Sequence, residues 1–234
     1  MARITLFMPG DYRPTPNQLA EPNVRTFIGA MEKAIRHLGH EPRLIDGFLT
    51  SPGEAIDALS SVDEPMIGLY AHWVYGPHTT DGVVGSDAPL LLASNFDGTW
   101  PGLVGLLNTG ACLTSLEREH SRLWSKEPDL TSDPWFMERL DAWISTGSID
   151  HDTSFIHDAP APQTSKVVDK IMSDFKARRP LVMMLGDTSM GMINGYFGPR
   201  LLHRHGFTEH KIDQAWIIDR GRRIDEKRID DALA

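Results

Sequence analysis

Histidine, tryptophan and tyrosine come together in His72-Trp73-Val74-Tyr75-Gly76-Pro77-His78. Two imidazoles beside two aromatic rings suit stacking on a sugar ring while hydrogen-bonding its hydroxyls. The same residues could form a packed corner beneath the Gly-Pro turn, so chemistry alone weighs the two readings about evenly. Arg13, in Gly-Asp-Tyr-Arg-Pro, could clamp a polar substrate, or it could face solvent as loop arginines commonly do. In Asn95-Phe96-Asp97-Gly98-Thr99-Trp100-Pro101-Gly102, backbone N–H groups at a helix start could receive a hydroxyl or an anion. The favoured reading there is a capped turn, with Thr99 and Asp97 serving the helix.

Other constellations are weaker. Residues 186–191 have a Walker-like glycine spacing, but Met192 stands where a phosphate-gripping lysine belongs. The dinucleotide pattern G-x-G-x-x-G is absent there too, so neither ATP nor a nicotinamide cofactor is expected. His203, His205 and His210 invite a metal reading, yet His205 precedes Gly206 at a helix end, where cations are favourable anyway. His151 and His157 fall in an aperiodic stretch and are expected to face solvent. Ser189 and Ser154 lack the G-x-S-x-G context of a nucleophile. The acid pairs Asp225-Glu226 and Asp230-Asp231 read as a solvated helix face.

These residues need elements to position them, and most fall after expected strands. Strands are expected at residues 4–7, 44–45, 66–70 and 90–93, separated by helices, which implies a parallel sheet. Residues 11–22 are too rich in proline and polar groups for either element, and Asn23 is expected to cap a helix that Gly39 stops. Ser51-Pro52 opens a second helix, Thr99 caps a third, and Ser132-Asp133-Pro134 a fourth. Residues 117–129 read as polar and 148–163 as an irregular excursion. Helices at 166–178, 190–203 and from 224, with strands at 181–185 and 215–218, complete the pattern. The fold class is therefore α/β: a Rossmann-like parallel-sheet domain over residues 1–178, then an incomplete second α/β domain over 179–234, with only two strands.

Composition narrows the partners. The 234 residues are 41% hydrophobic with a net charge of −9, so no basic surface is expected to track nucleic acid or an anionic membrane. The only cysteine, Cys112, excludes a disulfide scaffold. The longest apolar run, residues 181–185, is far short of the ~20 residues a spanning helix needs, and the N-terminus shows no signal-peptide core. A cytoplasmic location is the expectation.

Three segments carry a resemblance. Ala71-His72-Trp73-Val74-Tyr75-Gly76, then residues 90 to 102 ending in Pro101-Gly102, then Gly186-Asp187-Thr188-Ser189-Met190-Gly191 resemble, in this order and at similar spacing, the amino-terminal part of the L-fucose isomerase and L-arabinose isomerase family. Together they span most of the chain. Arg13-Pro14 matches a further loop of that family, whereas residues 148–163 match nothing in it. The resemblance implies a Rossmann-like first domain, a second α/β domain and a barrel beyond it. It also implies aldose–ketose interconversion through an enediol, with a divalent cation, typically manganese, held by residues that this chain does not contain. The chain alone would then bind no cofactor and lack catalytic residues. It would contribute substrate contacts from Trp73 and Arg13, with Tyr75 and His72 beside them. A sugar, a second copy of the chain or a complementary carboxy-terminal chain are the implied partners. Trp73 matches a tryptophan that reaches into a neighbouring subunit's active site. A stand-alone sugar-binding or regulatory module is the alternative.

Overall fold

A computed structural model describes residues 1–160, 163–186, 193–196 and 198–234. The chain divides into two compact units, one over residues 1–152 and the other over most of the remainder. The division falls ahead of the helix at 166–178, which sequence reading grouped with the first domain.

The first unit alternates strand and helix: β1 (Arg3–Pro9), α1 (Pro14–His37), β2 (Glu41–Leu49), α2 (Pro52–Leu59), β3 (Met66–Tyr70), α3 (Pro77–Val83), β4 (Leu90–Asn95), α4 (Gly102–Ser115), β5 (Ser121–Ser125) and α5 (Pro134–Thr146). All sheet pairings are parallel, in the order β2-β1-β3-β4-β5. This is the Rossmann-like α/β architecture expected, in its flavodoxin-like strand order. The order reverses at β1, so the crevice outside the carboxyl ends of β1 and β3 is the topological switch point.

Alternation along each strand feeds two cores. Ile4, Leu6 and Met8 of β1 join Ile67, Leu91 and Leu123 on the face covered by α1 and α5. Phe7, Met66, Tyr70 and Leu90 face the other way, toward α2, α3 and α4. The two cores fix the sheet's edges, and so the loops that emerge from them.

Several boundaries differ from expectation for identifiable reasons. Residues 14–22 are helical, not a loop, because Pro14 and Pro16 lie in the first turn of α1, where N–H groups lack partners anyway. Asn23 therefore lies inside α1 and is not its cap. Gly39 does end this helix, with φ of +81°. Pro101, not Thr99, is the residue before α4; Thr99 is instead held in a local turn by Asp97. The polar stretch after residue 117 contains the edge strand β5, and α3 was not anticipated. Ser51 and Asp133 cap α2 and α5 as expected.

The second unit contains α6 (Lys166–Arg178), β6 (Leu181–Leu185), α7 (Gly198–Arg204), β7 (Thr208–Ile212), α8 (Gln214–Arg222) and α9 (Glu226–Leu233). Its two strands pair in parallel. The run at 215–218, expected as a strand, is helical because the Asp213 side chain caps it, and the second strand is β7. Helix α7 is shorter than the expected 190–203, of which residues 190–192 and 197 lie outside the described residues. No described residue of these helices and strands is buried, and Leu181, Val182, Met183 and Leu185 expose both faces of β6.

Candidate functional site

Strand β1 delivers the chain to Gly10 at the switch point. A Cβ there would lie 2.8 Å from the Phe48 side chain and 3.2 Å from Asn17 Oδ1, so only glycine lets the turn approach both. Asn17, in the first turns of α1, then ties the loop. Its Oδ1 accepts the Asp11 N–H at 2.8 Å, and its Nδ2 donates to the Asp11 carbonyl at 2.7 Å.

Asn17 also reaches β3's loop. His72 Nε2 lies 3.1 Å from the same Oδ1. Because that oxygen is an acceptor, Nε2 must carry the proton, and Nδ1 presents a lone pair. His72 is 2% exposed and Nδ1 has no hydrogen-bond partner. Burial pushes this imidazole down to about 4, against the attraction of the Asp11 carboxylate, so it is neutral near pH 7. His78 sits alongside, its Nδ1 donating to the Gly10 carbonyl at 2.6 Å.

Asp11 is 1% exposed and Arg13 half-exposed. Burial raises the Asp11 carboxyl, but the Arg13 guanidinium and backbone N–H outweigh it, and its pKa lies below the ordinary value. Two hydrogen bonds, at 2.9 and 2.7 Å, hold the guanidinium to both carboxylate oxygens. Tyr75 is buried, with Tyr12 and His78 rings each 5.3 Å away, and Phe48 meets His72 edge-on at 5.4 Å. Trp73 is half-buried, and its enclosed Nε1 has no acceptor.

Helix α4 holds the β3 loop from behind. Gly105 and Gly76 allow the close approach, since a Cβ would stand 3.1 Å from the His72 carbonyl or 2.8 Å from Cys112 Sγ. Between β3 and β4, Asn23 donates to the Ala71 carbonyl at 2.8 Å and accepts from Asn95 at 3.0 Å.

Thus Arg13, His72 and Tyr75 converge on one crevice, with Trp73 in the same loop. Sequence reading missed Asn17, hidden among prolines, and did not single out Asp11, whose place in Gly-Asp-Tyr-Arg immediately after a strand was the available signal. His151 departs from its expected place in solvent: it stacks on Trp124 at 6.1 Å, and its Nε2 is enclosed. His157 is exposed, as are the acid pairs of α9. Asp187 to Gly191, including Ser189, lies outside the described residues. Among the described residues, no group of three or more His, Cys, Asp or Glu could hold a metal ion. No described helix is long and apolar enough to cross a membrane.

A depression of about 870 Å³ lies at the amino-terminal edge of β4 and β5, around Arg118 and His120. It is the wrong edge for a ligand site in an open parallel sheet. The Arg118 guanidinium there is spent on the Val83, Ala88 and Glu119 carbonyls.

Asn17→Ala would strip partners from the Asp11 N–H and carbonyl and from His72 Nε2 in one change. At roughly 1–3 kcal/mol for a buried polar group left unpaired, a loss of at least about 2 kcal/mol in urea unfolding of the full chain is expected. An unchanged midpoint would show that this bridge is not structural.

The chain matches no protein-family model and no curated protein.

Proposed function

We propose that the β1/β3 crevice binds an uncharged, polyhydroxylated small molecule of the sugar class. The chain would serve as the amino-terminal portion, or a separate subunit, of an aldose–ketose isomerase assembly of the L-fucose/L-arabinose type. The carrying observation is His72: a buried neutral imidazole whose free Nδ1 lone pair awaits a donor such as a hydroxyl, beside Tyr75 and Tyr12 rings.

The first turn of α1 argues against a phosphorylated ligand. Helix starts bind phosphate through free N–H groups, whereas Pro14 and Pro16 have none and the Asp11 carboxylate already occupies the turn. A neutral ligand meets no such repulsion. Orientation of hydroxyls by His72, Trp73 Nε1 and the Arg13–Asp11 pair is what these residues would supply; proton transfer and cation binding would come from elsewhere in the assembly. The bare apolar faces of β6 favour a second copy or a complementary chain as the partner.

Trp73→Ala is expected to weaken polyol binding by roughly threefold to tenfold, the scale of one aromatic contact or hydrogen bond. Unchanged affinity in calorimetry of the full chain would remove Trp73 from the site. The purified chain, given manganese and L-fucose or L-arabinose, is expected to produce no ketose; turnover by the chain alone would contradict the assembly reading. A stand-alone sugar-binding or regulatory module is favoured instead by the first unit's two complete cores. It differs in expecting no turnover with any added chain.

A further inference from the structure

Edge strand β5 ends in a second aromatic feature, separate from the β1/β3 crevice. A cleft of about 400 Å³ lies there, lined by Trp124, Ser125, Lys126, Ser132, Asp133 and Trp135 among others. That volume is within the range of small-ligand sites, and the cleft opens at the carboxyl edge of the sheet, where open α/β sheets receive ligands.

The two indoles are half-buried, 5.3 Å apart and inclined at 52°. Each is braced from outside the pair. His151 stacks on Trp124 with planes 21° apart, and the Arg139 guanidinium lies 4.4 Å over Trp135 while donating to the Trp135 carbonyl. Packing does not account for both rings. Leu123 alternates into the core beneath α5, whereas Trp124 belongs to neither buried cluster nor to their partly buried margins. Its ring contacts are instead to Trp135 and His151.

The polar groups at the rim decide the ligand's charge. Asp133 has both carboxylate oxygens engaged, by the Phe136 N–H and the Ser125 hydroxyl, so it offers little to a cation. Lys126 is outweighed by the Glu127 and Asp133 carboxylates of the same lining, which leaves no positive field for an anion. Two braced aromatic surfaces with a mixed polar rim fit a neutral ring that has an apolar face and hydroxyls at its edge.

We infer that the Trp124–Trp135 cleft is a docking subsite for the pyranose ring of a neutral glycoside. It rests on residues that take no part in the β1/β3 crevice, so it stands or falls independently of that reading.

The test titrates the full chain with methyl β-D-galactopyranoside and, separately, with adenosine, following the indole N–H signals in ¹⁵N spectra. Trp124→Phe and Trp135→Phe assign the two signals. The glycoside is expected to move both, and Trp124→Ala, which removes no core residue, to weaken binding roughly threefold to tenfold. The inference is overturned if neither signal moves, even where the Trp73 signal does, if adenosine moves them and the glycoside does not, or if Trp124→Ala leaves the affinity intact.

Discussion

Acidification from pH 6.5 toward about 4 is expected to cost the native state up to about 3 kcal/mol through His72 alone, the linkage equivalent of its displaced pKa. Burial holds the folded imidazole at about 4, while the unfolded side chain titrates near its ordinary 6.5. Within that window the unfolded chain binds the additional proton. The stabilisation is therefore fully present above the upper value and drains as pH falls toward the lower one. The groups around His72 set this behaviour: Asn17 uses its acceptor on Nε2, Phe48 covers the ring edge, and only the Asp11 charge favours protonation. His120, also pushed down by burial, adds a slope of the same sign elsewhere, so the diagnostic quantity is a difference. Urea unfolding of the full chain and of His72→Gln, followed across the window, should give a steeper pH dependence for the parent. Parallel curves would mean that His72 protonates freely in the folded state.

Gly102→Ala is expected to destabilise the first unit by about 2–3 kcal/mol, the usual scale of forced overpacking. A Cβ at this position would collide with the Tyr70 carbonyl oxygen and stand 2.9 Å from Ser94 Oγ. Those two atoms are themselves joined by a 2.8 Å hydrogen bond. Backbone cannot yield as a flexible side chain would, so α4 must withdraw from the end of β3. The loop that carries His72 rests on the same helix through Gly105 and Gly76, and polyol binding should weaken along with stability. Gly29→Ala provides the contrast. It lies within α1 with nothing within 4 Å of its would-be Cβ, so alanine there should stabilise by roughly 0.4–1 kcal/mol. Equal urea midpoints for the two variants would refute the close-approach argument.

Strands with two buried faces were legible as continuous apolar runs, which is why residues 66–70 and the start of β4 were found in sequence. Edge strand β5 escaped notice because only Leu123 supplies its apolar side, and Ser-Arg-Leu-Trp-Ser reads as a polar linker. Prolines misled at α1, where they sit at the helix start and leave Asn17 looking like loop. At residues 215–218, β-branched residues suggested a strand, but the cap at Asp213 decided for helix. The α/β fold class survives such errors because it depends on the order of elements and not on their ends. The site was legible as a composition around residues 72–78, but its organisation was not. Asn17 and Asp11 join it only through the crossover from β1 to α1, a contact that no local spacing announces.

In the proposed site, the crevice between β1 and β3 receives an uncharged polyol on His72. Its most direct test is the ¹⁵N resonance of His72 Nδ1 while the full chain is titrated with L-fucose, L-arabinose and their polyols. A hydroxyl donating to the free lone pair should move that resonance with saturable dependence on ligand, the Nε2 proton staying in place, and ribose 5-phosphate should not compete. A resonance unmoved by every polyol, or moved only by the phosphorylated sugar, would rule out a polyol site at His72.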